Sequence, residues 1–130
     1  MNPRPLSYVD FEILNNPTLL MGGNIAIYGA GERGTRISGL LNNTKLNVVS
    51  LTDIDPNKWG RRINHTVVLA PADMRDALLA ANGKRYVISC IENTDECYEF
   101  LSALFYGEDI GFISYWGIDM CLYMHRERLF

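Results

Sequence analysis

The sequence has only two histidines, His65 and His125, and three cysteines, Cys90, Cys97 and Cys121. An odd number of thiols at irregular spacing builds neither a disulfide framework nor a Cys/His metal cluster, so no metal is expected. Excess positive charge is missing too. Against 15 Asp and Glu stand 12 Lys and Arg, a formal net charge of -3, which leaves no electrostatic footprint for DNA or RNA. No apolar run has the length of a membrane-spanning helix. Asp10 and Glu12 fall where a signal peptide would be uninterrupted and apolar, so a cytoplasmic chain is expected. Two catalytic patterns are absent as well: no Gly-Lys-Ser or Gly-Lys-Thr ending follows the glycines, and no G-x-S-x-G occurs.

What is there is material for one buried sheet. The 130 residues, 48% hydrophobic and 21% charged, suit a single domain spanning 1–130, with 1–21 as a peripheral segment. Leu6, Val9, Ile13 and Leu19 are spaced for a short helix leaning on that domain. From Asn24 the pattern sharpens: Ile25 to Tyr28 reads as a central strand, and Ile37, Leu40 and Leu41 as the apolar stripe of a covering helix. Strands follow at Leu46 to Leu51, Thr66 to Leu69 and Arg85 to Cys90, with helices in "ADMRDALLAANG" and "TDECYEFLSALFYG", the latter capped by Asn93. "IGFISYWGI" reads as a last strand interrupted at Gly117. This alternation predicts an α/β fold: a Rossmann-like open, mainly parallel sheet with helices on both faces.

"GAGERG", between the first strand and its helix, has the G-x-G-x-x-G spacing. Gly29 permits the sharp exit from the strand, Gly31 removes a side chain that would block a pyrophosphate, and Gly34 lets helix and sheet pack closely. The unpaired amides at the front of the helix then point at an anion. The loop residues Ala30, Glu32 and Arg33 belong to this candidate site. The second element is an acid at the end of the second strand to hold ribose hydroxyls. Asp53 stands there, 24 residues after Gly29, with Ile54 beside it. A free carboxylate at that place favours an unmodified 2′-hydroxyl over a 2′-phosphate. Asp55, before Pro56, reads as a turn residue. A third wall is expected from Cys90, Ile91 and Glu92, after the "RYVISC" strand.

The segments "IAIYGAGERGTRISGLL", "NVVSLTDIDPNKWGRRINHTVVLAPADM" and "RYVISCIENTDECYEFLSALFYG" together resemble the Rossmann-like nucleotide-binding module of bacterial surface-polysaccharide and nucleotide-sugar proteins. Similar domains precede nucleotide-sugar dehydratases and acetyltransferases, or accompany FkbM-type methyltransferases. The resemblance implies a nucleotide, NAD or a nucleotide sugar, over Gly29, Gly31 and Gly34, with Asp53 at the ribose and Cys90 to Glu92 alongside. Related modules place a glycine-containing turn where this chain has Asn64-His65. The dehydratases also carry a Tyr/Lys catalytic domain and the acetyltransferases hexapeptide repeats, and this sequence contains neither. A small-molecule nucleotide partner is expected, within or beside a larger enzyme.

Two other readings stay open: a ligand-free interaction or regulatory domain, and a small NAD-dependent oxidoreductase that needs a partner. No catalytic residue is identified, since His65 and His125 read as surface residues and Cys90 as a small buried one. The aromatic tail leaves a homodimer open, with Trp116 expected in the core and Tyr123, Met124 and Phe130 in either an interface or the core.

Overall fold

A computed structural model describes residues 6–129. Seven strands, β1 (Ser7–Tyr8), β2 (Asn24–Tyr28), β3 (Asn47–Thr52), β4 (Arg62–Ile63), β5 (Thr66–Leu69), β6 (Arg85–Ser89) and β7 (Gly111–Ile113), lie in the order β1-β7-β6-β2-β3-β5-β4. All neighbours pair in parallel except β4 with β5. The helices are α1 (Asp10–Asn15), α2 (Glu32–Leu41), α3 (Pro71–Ala80), α4 (Thr94–Leu104) and α5 (Tyr115–Leu129). Parallel neighbours need crossovers, and these helices supply them on both faces of the sheet. The α/β, Rossmann-like architecture read from the sequence is the observed one. The chain leaves β2 toward β3 on one side and reaches β6 on the other only later, so the topological switch lies between β2 and β6, where open sheets place ligands.

Two apolar layers sandwich β2, which explains why every residue of "NIAIY" is buried. Ile25 and Ile27 face Ile37 and Leu41 of α2 and Ile118 and Leu122 of α5, whereas Ala26 and Tyr28 face Met74 and Leu78 of α3 and Leu101 of α4. Burial of each large aliphatic side chain here stabilises by about 2 kcal/mol. Between Ile25 and Ala26 the pairing with β3 shifts by one residue, from Val48 to Ser50. Val49, the extra residue, packs on the α3/α4 layer, and Leu51 returns to the α2 layer.

Residues 6–21, read as peripheral in the sequence, take these positions: β1 extends the sheet beside β7, and Ile13 and Leu20 are fully buried in the α2/α5 layer. The larger departure from the sequence reading is at residues 114–118, which are not strand. β7 stops at Ile113 and α5 starts at Tyr115. Ser114 is the reason. Its hydroxyl oxygen accepts the Gly117 N–H at 3.0 Å, while Asp10 accepts the Ser114 N–H at 2.9 Å and the Ser114 O–H at 2.6 Å. Gly117, taken as a strand interruption, leaves room for that carboxylate, since a Cβ there would lie 2.5 Å from the Asp10 carboxyl. Trp116 consequently lies outside the core at 54% exposure, and Tyr123 and Met124 are exposed as well. Phe130 falls outside the described residues. His125 is half-buried at a kink in α5, its Nε2 2.7 Å from the Leu14 carbonyl oxygen.

A turn before the Thr66–Leu69 strand was expected, with His65 in it; the short strand β4 that makes it a hairpin was not. Its turn residues Asn64 and His65 have φ of 50° and 69°, the left-handed pair of a two-residue turn whose twist matches the strands. Asn64 also donates from its side chain to the Thr35 carbonyl oxygen at 2.9 Å, which ties the hairpin to α2. His65 is exposed and is strained by its conformation. His65→Gly should therefore stabilise the protein by about 0.5–1 kcal/mol, the relief being partly offset by the freer unfolded chain. An unchanged or lower urea midpoint would contradict that account.

Candidate functional site

β2 ends between its neighbours. The Gly29 N–H donates to the Thr52 carbonyl oxygen and the Cys90 N–H to that of Tyr28, both at 2.8 Å. Here the chain must turn into α2 at once, and Gly29 does so at φ 109°, where a Cβ would stand 3.0 Å from both the Cys90 carbonyl oxygen and the Ile91 side chain. Five residues on, α2 crosses the turn so closely that a Cβ on Gly34 would fall 1.8 Å from the Gly29 carbonyl oxygen. Gly31 is different. A Cβ there would meet no atom within 4 Å. It occupies the N-cap of α2 with no side chain to accept the helix's leading amides, so those amides face outward without a cap.

Asp53 turns toward this loop rather than away from it. Its Oδ2 accepts the Ala30 N–H at 2.9 Å and lies 3.5 Å from Lys58 Nζ, and its Oδ1 accepts the Asp55 N–H at 3.0 Å. Burial pushes the Asp53 carboxyl up, but the Ala30 and Asp55 amides and the Lys58 ammonium outweigh it and hold it below the ordinary carboxylate value. The carboxylate thus fastens the end of β3 to the glycine turn and stays ionised. Trp59 supports the same corner, donating from its indole N–H to the Asp53 carbonyl oxygen at 2.7 Å. Asp55 is the turn residue read from the sequence, its side chain accepting the Asn57 N–H at 3.0 Å.

A cavity of about 320 Å³ opens at the switch between β2 and β6, on the α4 side. Gly29, Asp53, Ile54 and Ile91 of the sequence-derived set line it, joined by Tyr28, Glu96, Cys97 and Phe100. Ile54 is 66% exposed, an apolar side chain left standing at the mouth. Ala30 is buried behind the turn, and Glu32 and Arg33 are exposed at the start of α2. The Arg33 guanidinium lies over the Tyr115 ring, 5.0 Å from its centroid, and so is directed toward α5. Cys90 is buried and Glu92 exposed, and neither lines the cavity.

The four lining residues missed in the sequence belong to two elements. Tyr28 was read only as strand core, and Glu96, Cys97 and Phe100 only as helix. The available signal was Glu96 and Phe100 at i and i+4 in the first turns of the helix after β6, which share one face at the carboxyl edge. Chemically the cavity is poor in proton carriers near neutrality, since neither histidine lines it. Burial pushes the Cys90 thiol up to about 12, with Cys97 adding to the rise and Arg33 opposing it, so it is no thiolate nucleophile near neutral pH. A larger groove of about 440 Å³, lined by Arg36, Asp119 and Tyr123 among others, lies between α2 and α5, away from the glycine turn. No group of His, Cys, Asp and Glu among the described residues could hold a metal ion, and no described helix is long and apolar enough to cross a membrane.

No protein-family model and no curated protein matches the chain. Solved structures do. The UDP-D-quinovosamine 4-dehydrogenase from Vibrio fischeri superposes with a TM-score of 0.53 at 17% identity, over 63% of this chain and 71% of that one. RSP, a Rex-family repressor, matches in its complex with beta-NADH with a TM-score of 0.55 at 21% identity, over 90% of this chain and 68% of that one. Its complex with beta-NAD+ and operator DNA gives 0.55 at 19%, over 90% and 65%. At such identities the likeness is one of fold.

Proposed function

We propose that this chain binds a nucleotide-bearing ligand, NAD or a nucleotide sugar, across the β2/β6 switch. A phosphate takes the uncapped amides at the front of α2, Asp53 accepts a ribose hydroxyl, and the base enters the cavity between Ile54 and Ile91. The observation that carries the reading is the division of labour among the glycines. Packing requires Gly29 and Gly34, but the folded chain has no internal use for the missing side chain of Gly31, which borders open space in front of the helix amides. The residues fit the ligand in two further respects. The Asp53 Oδ1 accepts a single N–H and has acceptor capacity left for a hydroxyl, and the cavity lies within the size range of small-molecule sites.

The ligands named for the neighbours support the same reading: NADH and NAD+ with the repressor, and a UDP-sugar in the name of the dehydrogenase. A setting in surface-polysaccharide chemistry, as part of or beside a larger enzyme, is the finer form of the proposal. Calorimetric titration with NAD+, NADH and UDP tests it. The parent protein should bind at least one of them, and Gly31→Val should weaken that binding about 100-fold by filling the phosphate position, with an unfolding free energy within about 0.5 kcal/mol of the parent. A parent that binds none of the three leaves the glycine turn a purely structural device.

A further inference from the structure

Two carboxylates line the cavity at the β2/β6 switch, and only one of them is used within the fold. Asp53 is held by the Ala30 and Asp55 amides and by Lys58. Glu96, in the first turn of α4, gives its backbone N–H to the Asn93 cap at 3.0 Å, but no described residue forms an ion pair or side-chain hydrogen bond with its carboxylate. Both charges act on Tyr28 in the cavity lining: burial first, then Cys97, Asp53 and Glu96, push its phenol up to about 12. Glu96 is exposed at the rim of this cavity, whose apolar lining includes Ile54, Ile91 and Phe100.

An ionised carboxylate only accepts hydrogen bonds. A base seated between Ile54 and Ile91 displaces water at this rim, so it either brings an N–H to Glu96 or costs that carboxylate part of its hydration. Adenine carries an exocyclic amine on its outer edge. Uracil sets two carbonyl oxygens on either side of its single N–H, and these oppose a carboxylate.

We infer that Glu96 selects the base, so that this cavity takes an amine-bearing base of the adenine type and rejects uracil. The inference rests on the nucleotide-binding reading above and separates its two ligand classes: an adenine dinucleotide fits, whereas a uridine-linked sugar does not. The phosphate position on α2 is unaffected by it, because Glu96 lies on α4.

The test compares ADP, purine riboside 5′-diphosphate, which lacks only the amine, and UDP, by calorimetry on the parent and on Glu96→Ala. The parent should bind ADP about tenfold more tightly than the amine-free analogue and more tightly than UDP. In Glu96→Ala the ratio of ADP to analogue should collapse to about one, while affinity for the analogue holds or improves. Equal affinity of the parent for ADP and analogue, a ratio unchanged in the variant, or a preference for UDP would overturn the base selection and leave nucleotide binding standing. No binding of ADP, NAD+ or UDP to the parent would overturn the nucleotide reading itself, and the base selection with it.

Discussion

Gly34→Ala should destabilise the protein by about 3 kcal/mol or more, a large part of the total stability of a small domain. The added Cβ would lie 1.8 Å from the Gly29 carbonyl oxygen, a backbone atom that cannot swing aside as a side-chain tip can. Either α2 lifts from the sheet or the turn moves. Lifting exposes Ile37 and Leu41, now fully buried. Moving the turn breaks the Gly29 N–H bond to Thr52 and the Ala30 N–H bond to Asp53. In urea the midpoint should fall by about 1.5 M for a slope near 2 kcal/mol/M. Gly39→Ala is the control on the same helix. Its Cβ would meet only the Asn64 side-chain amide, at 3.4 Å, and the gain in helix propensity compensates. It should stay within about 1 kcal/mol of the parent. Similar losses in both variants would refute the close crossing of α2 over the turn.

Asp53→Ala should cost about 3 kcal/mol, because it orphans the Ala30 and Asp55 amides in a half-buried corner and removes the partner of Lys58. The loss carries a pH dependence of fixed sign. In the unfolded chain the carboxyl titrates near the usual value of about 3.9. In the fold it titrates lower, since the amides and Lys58 outweigh the effect of burial. The unfolded state therefore takes up a proton first as pH falls, so the stabilisation is complete above about pH 5 and shrinks as pH drops through the folded value. Parent and variant should differ fully at pH 7, and the difference should shrink as the pH of the urea melts falls below about 5. A difference that stays constant over that range would mean that the charge of Asp53 contributes nothing to the corner.

Some of this arrangement was legible in the residues because the physics is local. An apolar "IAIY" run with no polar position has to be covered on both faces, and three glycines at that spacing leave few ways to turn into a helix. The acid after the second strand could be located because strand length sets its distance from the turn. Other features depend on contacts between residues far apart in the chain. "FISYW" has the composition of a strand, and what ends β7 at Ile113 is a hydrogen-bonded pair formed by Ser114 with Asp10, more than a hundred residues earlier. Trp116 was misread for the same reason, since a helix turns it outward where a strand would have placed it inside. The Asn64-His65 turn lacks the glycine that usually marks a two-residue hairpin, so its left-handed pair was hidden. The shared face of Glu96 and Phe100 is legible at i and i+4, but that it meets Asp53 and Ile54 at one cavity depends on the fold.

Asp10 has a bearing on how an anion meets this molecule. Both α2 and α5 begin along the same rim of the sheet, and each beginning concentrates partial positive charge. At α5 the chain's own carboxylate is already docked, fixed by two bonds to Ser114 and bordered by Gly117. At α2, two strands away, the N-cap is Gly31, which has no side chain to take that place. Two helix starts on one rim are thus finished differently, one from within the chain and one left open to solvent.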